Sequence, residues 1–541
     1  MTNWFLKYVK RTVHNAHTTK VNKDTSADLT LIDGRIYTMD QAKPFVEAVA
    51  VKDKRVIKVG STEEVSYLIG KNTKIVYLEG GTVVPGFIDT HIHLADFGRF
   101  LLWMDLSLVS SINKMQVLLG ERLDKAAEGK WVVGRGWNEN HFFEKKQPTR
   151  FDLDVVSSEN PVLFYHQNGQ VALANSKALE IAGITKQTTS PTGGIIDTNP
   201  QTGEPTGILR ESATDLVWRL IPEPSIDEIV EATSLACNKI VQAGITGVHW
   251  LAESSVDVAI LKRLLAKGEL PFDVYMIVPL SLMGDSTSLE GFNGNAKVGG
   301  FEISADGYLA SRTAALFEPY HEDSKNSGKL QYTKEELTSL AKNIISKGCQ
   351  VIIHAMGDKA IDAALRALDS AQPKGRQRVD PAALLNPALI LRLKEQIVVV
   401  SVQPMVAASE FSVYDAIEHL GESRARWLYP LKTLISQGVR VCAGSDCPME
   451  PLNPLLGIQS MVTRRFFPEE QLSVDEALQT YTLNAAWASR EEKSKGSIEE
   501  GKLANFTVLS QDPHEVMQSK IQDIIVEMTI VNGNIVFSRN A

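Results

Sequence analysis

The chain lacks an excess of positive charge, a cysteine framework and any apolar run long enough to cross a membrane. Its 541 residues carry 56 Lys and Arg against 65 Asp and Glu, a net charge of −9. An acidic chain offers no electrostatic footprint for nucleic acid. Without an apolar stretch of about 20 residues, no membrane span is expected. Four cysteines, Cys237, Cys349, Cys442 and Cys447, are too few to staple a fold of this length. That points to a reducing compartment, and we expect a cytoplasmic protein. Acidic residues are also missing from the first 23 positions, which hold Lys7, Lys10, Arg11, Lys20 and Lys23. Trp4-Phe5-Leu6 is too short for a secretory apolar segment. Residues 1–26 therefore read as a surface tail, with organelle targeting as the lesser alternative.

What is present is an ordinary globular composition, 43% hydrophobic and 22% charged, in a chain long enough for more than one domain. Both ends alternate short apolar runs with turns. Asp33-Gly34, Asp53-Lys54 and Asn532-Gly533 sit where hairpin turns belong. Residues 27–84 and 497–541 are therefore expected to build one β-sandwich, enclosing a barrel domain over 85–496. Between them, strand-like runs alternate with helical text. They begin at Phe87–His91 and continue as Gly244–Trp250, Phe272–Val278, Gly300–Gly307, Gln350–Asp358, Arg376–Pro381, Ile397–Pro404 and Val439–Pro448. Eight such runs fit a closed parallel barrel. Residues of about 101–225 break the alternation and read as an insertion after the first barrel strand, covering the mouth of the site.

The barrel reading brings residues at strand C-termini to one place. These are His91, His93, His249, Glu302, Asp306, His354, Asp358, Asp380, Gln403 and Asp446. His91 and His93 are two apart on a strand, so both imidazoles face one way and can share an ion. A lone histidine at a strand end is more often a hydrogen-bonded structural residue. The Pro85-Gly86 turn just before this strand, and the companions at other strand ends, favour ligation.

Several segments carry a resemblance. PGFIDTHIHL (Pro85–Leu94), IHAMGDKA around His354, AGSDCP around Asp446, GRGW at Gly134–Trp137 and GSIEEGKLANFTVL before Ser510 are similar to the metal-dependent amidohydrolase superfamily. They look most like its YtcJ-like branch (amidohydrolase family 3), and the likeness runs from about Ala27 to Phe537. The resemblance implies a (β/α)8 barrel with a small flanking β-sandwich. It implies one divalent ion, zinc first, with iron or manganese as alternatives. The implied ligands are His91, His93, His354 and Asp446, with Glu302 where relatives usually carry a bridging carboxylated lysine. Asp446 is the implied general base and then acid, acting on an amide-like, non-peptide C–N bond of a small molecule. Arg312, Asp306, Trp137 and Gln170 are candidates for substrate contact; for Arg312, bracing the loop is an equal reading, and for Trp137, ordinary packing is the commoner role of such a residue. Phe142 and Phe143 offer the same choice between lining an apolar pocket and ordinary packing. Relatives are often homodimers. On strand six the family reads Arg-Ile-Glu-His-Ala, whereas this chain has Arg378-Val379-Asp380-Pro381-Ala382. Pro381 cannot ligate, and a regular strand would turn Asp380 away from the site. Two functions remain open: a hydrolase with one ion, or a catalytically degenerate relative that binds a ligand or a partner.

Overall fold

A computed structural model describes residues 26–284, 289–292, 294–371 and 376–539. The basic N-terminal stretch up to residue 25 lies outside the described residues. Eight strands form the central sheet: β1 (Phe87–Ile92), β2 (Ile245–Leu251), β3 (Asp273–Pro279), β4 (Ala296–Ser304), β5 (Gln350–Ala355), β6 (Arg378–Pro381), β7 (Val399–Val402) and β8 (Arg440–Ala443). They are hydrogen-bonded in chain order, and the ladders from β1 to β8 are all parallel. The ring closes between β8 and β1 through a parallel bridge from Ile92 to Cys447. Backbone bonds from Asp446 N to His91 O (2.8 Å) and from His93 N to Cys447 O (3.0 Å) complete the closure. This is the parallel eight-stranded barrel expected from the alternation of strands and helices, and its seam runs through the residues singled out above.

Local chemistry explains the alternation of strands and helices. Strands β1, β2, β6 and β7 are buried along their whole length, as parallel strands covered on both faces must be. Helix Lys334–Ser346 starts at Thr333, which forms a capping box with Glu336. Helix Asp358–Ala371 buries Ala360, Ile361, Ala364, Leu365 and Leu368, one stripe at helical spacing.

The chain ends build two further sheets, the second of which combines strands from both segments. One is ordered Arg55–Gly60, Ala48–Lys52, Leu29–Ile32, Lys74–Tyr77, and the other includes Val526–Val531, Phe506–Leu509, Thr82–Pro85 and Arg35–Tyr37. Phe506–Leu509 runs antiparallel to Thr82–Pro85. Leu31, Ile36, Val49 and Val83 from the first segment pack with Phe506 and Ile530 from the second. Asp53 and Lys54, and likewise Asn532 and Gly533, have positive φ at both positions, as a type I′ turn requires.

Gly98–Ala232 is a separate compact unit. Its six-stranded sheet includes the antiparallel pair Gly194–Thr198 and Pro205–Glu211. Its core holds Met115, Leu119, Trp137, Phe142, Leu153 and Phe164. Among the described residues no helix is long and apolar enough to cross a membrane.

One buried acid in the barrel unit gives a pH prediction. Glu410, on helix Pro404–Ser412, is 3% exposed and its Oε2 has no hydrogen-bond partner. Burial pushes its carboxyl up from 4.5 to about 7. Its charge acts on the buried hydroxyls of Tyr320 and Tyr429, which also have to be desolvated. Below pH ~4.5 the folded and unfolded chains both hold the proton. As pH rises through ~7 the folded chain must ionise a buried group, so the stability present in acid is lost. The loss should be about 3 kcal/mol by pH 8 relative to Glu410→Gln. Urea unfolding of both proteins at pH 5 and pH 8 checks it; parallel pH profiles would refute it.

Candidate metal centre

His91 lies on β1, and His93 stands just past its end. Their rings are 5.5 Å apart, centroid to centroid. Asp446 follows β8 with φ at +62°, a left-handed turn that brings its carboxylate back over β1. Its Oδ1 is 3.4 Å from His91 Nε2 and 3.5 Å from His93 Nε2. The three donor atoms lie within 4.8 Å of one another. Gly444 permits this approach of β8 to β1, because a Cβ there would stand 2.3 Å from His91 N and 2.8 Å from Asp89 Oδ1. Asp89 Oδ1 accepts the backbone N–H groups of His91 (3.0 Å) and Ser445 (2.9 Å), tying the two strand ends together. Burial raises the Asp89 carboxyl to about 6, although the bonds from Ser445 and His91 oppose the rise.

Strand six corrects the expectation for Asp380. Its side chain does not turn away: Oδ2 is 2.9 Å from His91 Nδ1, and Oδ1 accepts from Gln403 Nε2 at 2.7 Å. Arg378, two residues earlier, lies on the same face of β6 and pairs with Asp380 Oδ2. The inward face of β6 is therefore that of 378 and 380, and Pro381 falls to the opposite parity. Arg378 is fully buried and also donates to Thr90 O (2.6 Å) and Ser401 Oγ (2.8 Å).

The field at His91 is strongly negative. Burial by itself would lower the imidazole, but the charges of Asp380 and Asp446 override it and raise His91 to about 10. Burial likewise opposes ionisation of Asp446, yet the hydrogen bonds to His91 and His93 hold it well below the usual carboxylate range. Asp380 is held down in the same sense, against burial, by His91 and Arg378. A field that favours positive charge here favours a metal cation. The donor set of two imidazole nitrogens and one carboxylate oxygen suits a divalent zinc-like ion with an open position. The residues present fit the group.

The other expected site residues are distributed differently. His354, at the end of β5, has a buried Nε2 without a hydrogen-bond partner, and its ring lies 5.2 Å from Tyr308. Glu302 on β4 is half-buried, and its charge acts on Tyr308. Among the described residues neither His354 nor Glu302 joins the group of His91, His93 and Asp446. Asp306 spends its carboxylate on the backbone N–H groups of Ala315, Met356 and Gly357, a loop staple instead of a substrate contact. Arg312 pairs with Glu322 at 2.8 Å, and Glu322 also meets His419 Nδ1 at 2.6 Å; bracing is what this guanidinium does. Trp137 is fully buried in the insertion core and donates from Nε1 to Phe164 O (2.9 Å), so packing is its role. Phe142 is buried in that core and Phe143 is exposed. Gln170 is an exposed residue of a turn that precedes Val171–Ala174.

Three residues escaped the sequence reading. Arg378 had a signal, its i, i+2 spacing to Asp380. Tyr308 follows the Asp306-Gly307 pair, where its hydroxyl is raised by burial and then by the carboxylates of Glu302 and Asp446. Glu253 follows β2, and with His93 and Asp96 it forms a second group of potential donors.

A model of the amidohydrolase family matches residues 74–537. The chain belongs to the amidohydrolase family. YtcJ of Bacillus subtilis (strain 168) is 35% identical over 527 residues, covering 94% of this chain and 99% of that protein. An N-substituted formamide deformylase of Arthrobacter pascens is 28% identical, covering 95% of this chain and 98% of the deformylase. Among solved structures, an uncharacterized metal-dependent hydrolase from Pyrococcus furiosus superposes with a TM-score of 0.72 at 29% identity. That match spans 90% of this amidohydrolase and 100% of the neighbour.

Proposed function

We propose that this amidohydrolase is a metal-dependent enzyme that hydrolyses an amide-like, non-peptide C–N bond in a small molecule, with one divalent ion, zinc first. The observation that carries the reading is the convergence of His91 Nε2, His93 Nε2 and Asp446 Oδ1. The likeness to the N-substituted formamide deformylase supports the bond class. His91, His93 and Asp446 would hold a divalent ion, which would supply Lewis acidity and make a bound water more acidic. Asp446 Oδ1 faces the two imidazoles. Its Oδ2 is the oxygen assigned to take the proton and return it to the leaving nitrogen. His354 Nε2, buried and unpartnered, is assigned to substrate polarisation or to a further metal contact. The choice of a single ion is supported by strand six, where Pro381 offers no nitrogen and Asp380 is committed to His91 and Arg378.

A second reading, a non-catalytic relative that binds a ligand or a partner, is favoured by one observation: His354 and Glu302 stand outside the gathered donors. Elemental analysis of protein purified without chelator, repeated on His91→Ala, together with a panel of N-formyl and N-acyl amines, separates the two. About one equivalent of metal, lost in the variant, with turnover of a panel member is the expected result. Two equivalents overturn the single-ion assignment. Bound metal without turnover on any amine points to the second reading.

A further inference from the structure

His91 faces a carboxylate at each ring nitrogen, Asp380 Oδ2 at 2.9 Å from Nδ1 and Asp446 Oδ1 at 3.4 Å from Nε2. An imidazole can offer an Nε2 lone pair to an ion, and stay neutral, only in the tautomer protonated at Nδ1. Which tautomer forms depends on what Nδ1 meets. Here it meets two groups of opposite kind at the same distance. Asp380 Oδ2 at 2.9 Å can only accept, and Gln403 Nε2 at 2.9 Å can only donate. A bare Nδ1 would take the amide of Gln403; a protonated Nδ1 takes the carboxylate.

The surroundings decide between them. Gln403 Nε2 spends one of its two hydrogens on Asp380 Oδ1 at 2.7 Å, and a bare Nδ1 would set its lone pair against the charged Asp380 Oδ2 at 2.9 Å. The carboxylate is pinned from the other side by Arg378, itself anchored on Thr90 O, Ser401 Oγ and His249 Nδ1 (3.2 Å). Arg378 and Asp380 are fully buried and Gln403 is 3% exposed, so no bulk water competes for these bonds. We propose that Asp380, clamped by Arg378 and Gln403, is a positioning residue that keeps His91 protonated at Nδ1 and so presents Nε2 to the metal. The inference rests on the reading of His91 as a metal ligand. It also gives strand six a role although Pro381 offers no nitrogen: its carboxylate acts on the metal centre through His91 without touching the ion. A purely structural role for the Arg378–Asp380 pair makes a different prediction. In that case loss of Asp380 lowers stability and leaves the zinc affinity of the folded protein unchanged.

The test measures zinc affinity by competition with a chromophoric chelator on the full chain. Wild type, Asp380→Asn, Gln403→Met and His93→Ala are compared, each first shown to be folded by circular dichroism. In parallel, ring 15N spectra of zinc-loaded, 15N-histidine-labelled protein are recorded, with His91 assigned from the signals missing in His91→Ala. The expected results are a protonated Nδ1 on His91 and a zinc affinity weakened about 10–100-fold in Asp380→Asn, with a smaller loss in Gln403→Met. Unchanged affinity in folded Asp380→Asn, or a bare Nδ1 on His91 in wild type, overturns the proposal. Should Asp380→Asn fail to fold, the wild-type spectrum and Gln403→Met decide alone. If wild type binds no zinc, or His93→Ala binds as tightly as wild type, the metal centre itself is refuted and the inference falls with it.

Discussion

Replacing Asp446 by asparagine is expected to lower turnover of an accepted amide about 10²–10⁴-fold, measured per equivalent of bound metal. The carboxylate stands 3.4 and 3.5 Å from the two Nε2 atoms, held there by its own left-handed backbone, and among the described residues it is the acid that joins His91 and His93 in this group. An amide of the same shape keeps the geometry but cannot take a proton. Asp446 is also an assigned ligand, so metal content has to be read alongside rate. A variant that has lost its ion tests ligation, and one that has kept it tests proton transfer. Turnover at the wild-type level with the ion retained would remove Asp446 from the mechanism.

Much of this site could be read before any coordinates, because its chemistry sits on a repeating element. Each barrel strand is a short apolar run, and function collects at its C-terminal end, so His91, His93, His354 and Asp446 could be located by position along their strands. The His-x-His spacing gives a shared face at once, since side chains two apart on a strand point the same way. The two type I′ turns were legible because Asn-Gly and Asp-Lys stand between apolar runs.

The direction of Asp380 was not legible. Strand parity depends on register, and a one-residue shift exchanges the inward and outward sets. Matching Pro381 to a family histidine put 381 on the inward face, whereas the ladder puts Arg378 and Asp380 there. The composition of strand six carried a hint: a buried arginine two residues from an aspartate is costly unless the two meet. Asp306 and Arg312 were hard to read for a related reason. Both are polar residues of a loop at the mouth, where substrate contact and loop bracing call for the same side chains. The backbone N–H groups that Asp306 accepts belong to residues 9 to 51 positions away, which sequence spacing does not disclose.

Arg378→Met should cost about 3–5 kcal/mol of folding stability, a large fraction of what a domain has. The guanidinium is completely buried, and it meets Asp380, Thr90 O, Ser401 Oγ and His249 from within the barrel. Burial alone would lower its pKa, but the charge of Asp380 raises it, so the pair is ionised in the folded state. Methionine fills much of the volume and leaves the Asp380 carboxylate in the barrel interior with only His91 and Gln403 facing it. The penalty is therefore chiefly that of a buried carboxylate left with only the His91 charge, which it shares with Asp446, and not of a cavity. That distinction can be measured. If the charge dominates, the double variant Arg378→Met/Asp380→Asn regains more than half of the lost stability, because removing both members of a buried pair costs far less than removing one. Denaturant unfolding of the single and double variants at one pH gives the comparison. A double variant no more stable than Arg378→Met would mean that arginine packing and its bonds to Thr90 and Ser401 matter more than its charge. The strand-six pair would then be a structural pin of the barrel instead of an electrostatic one.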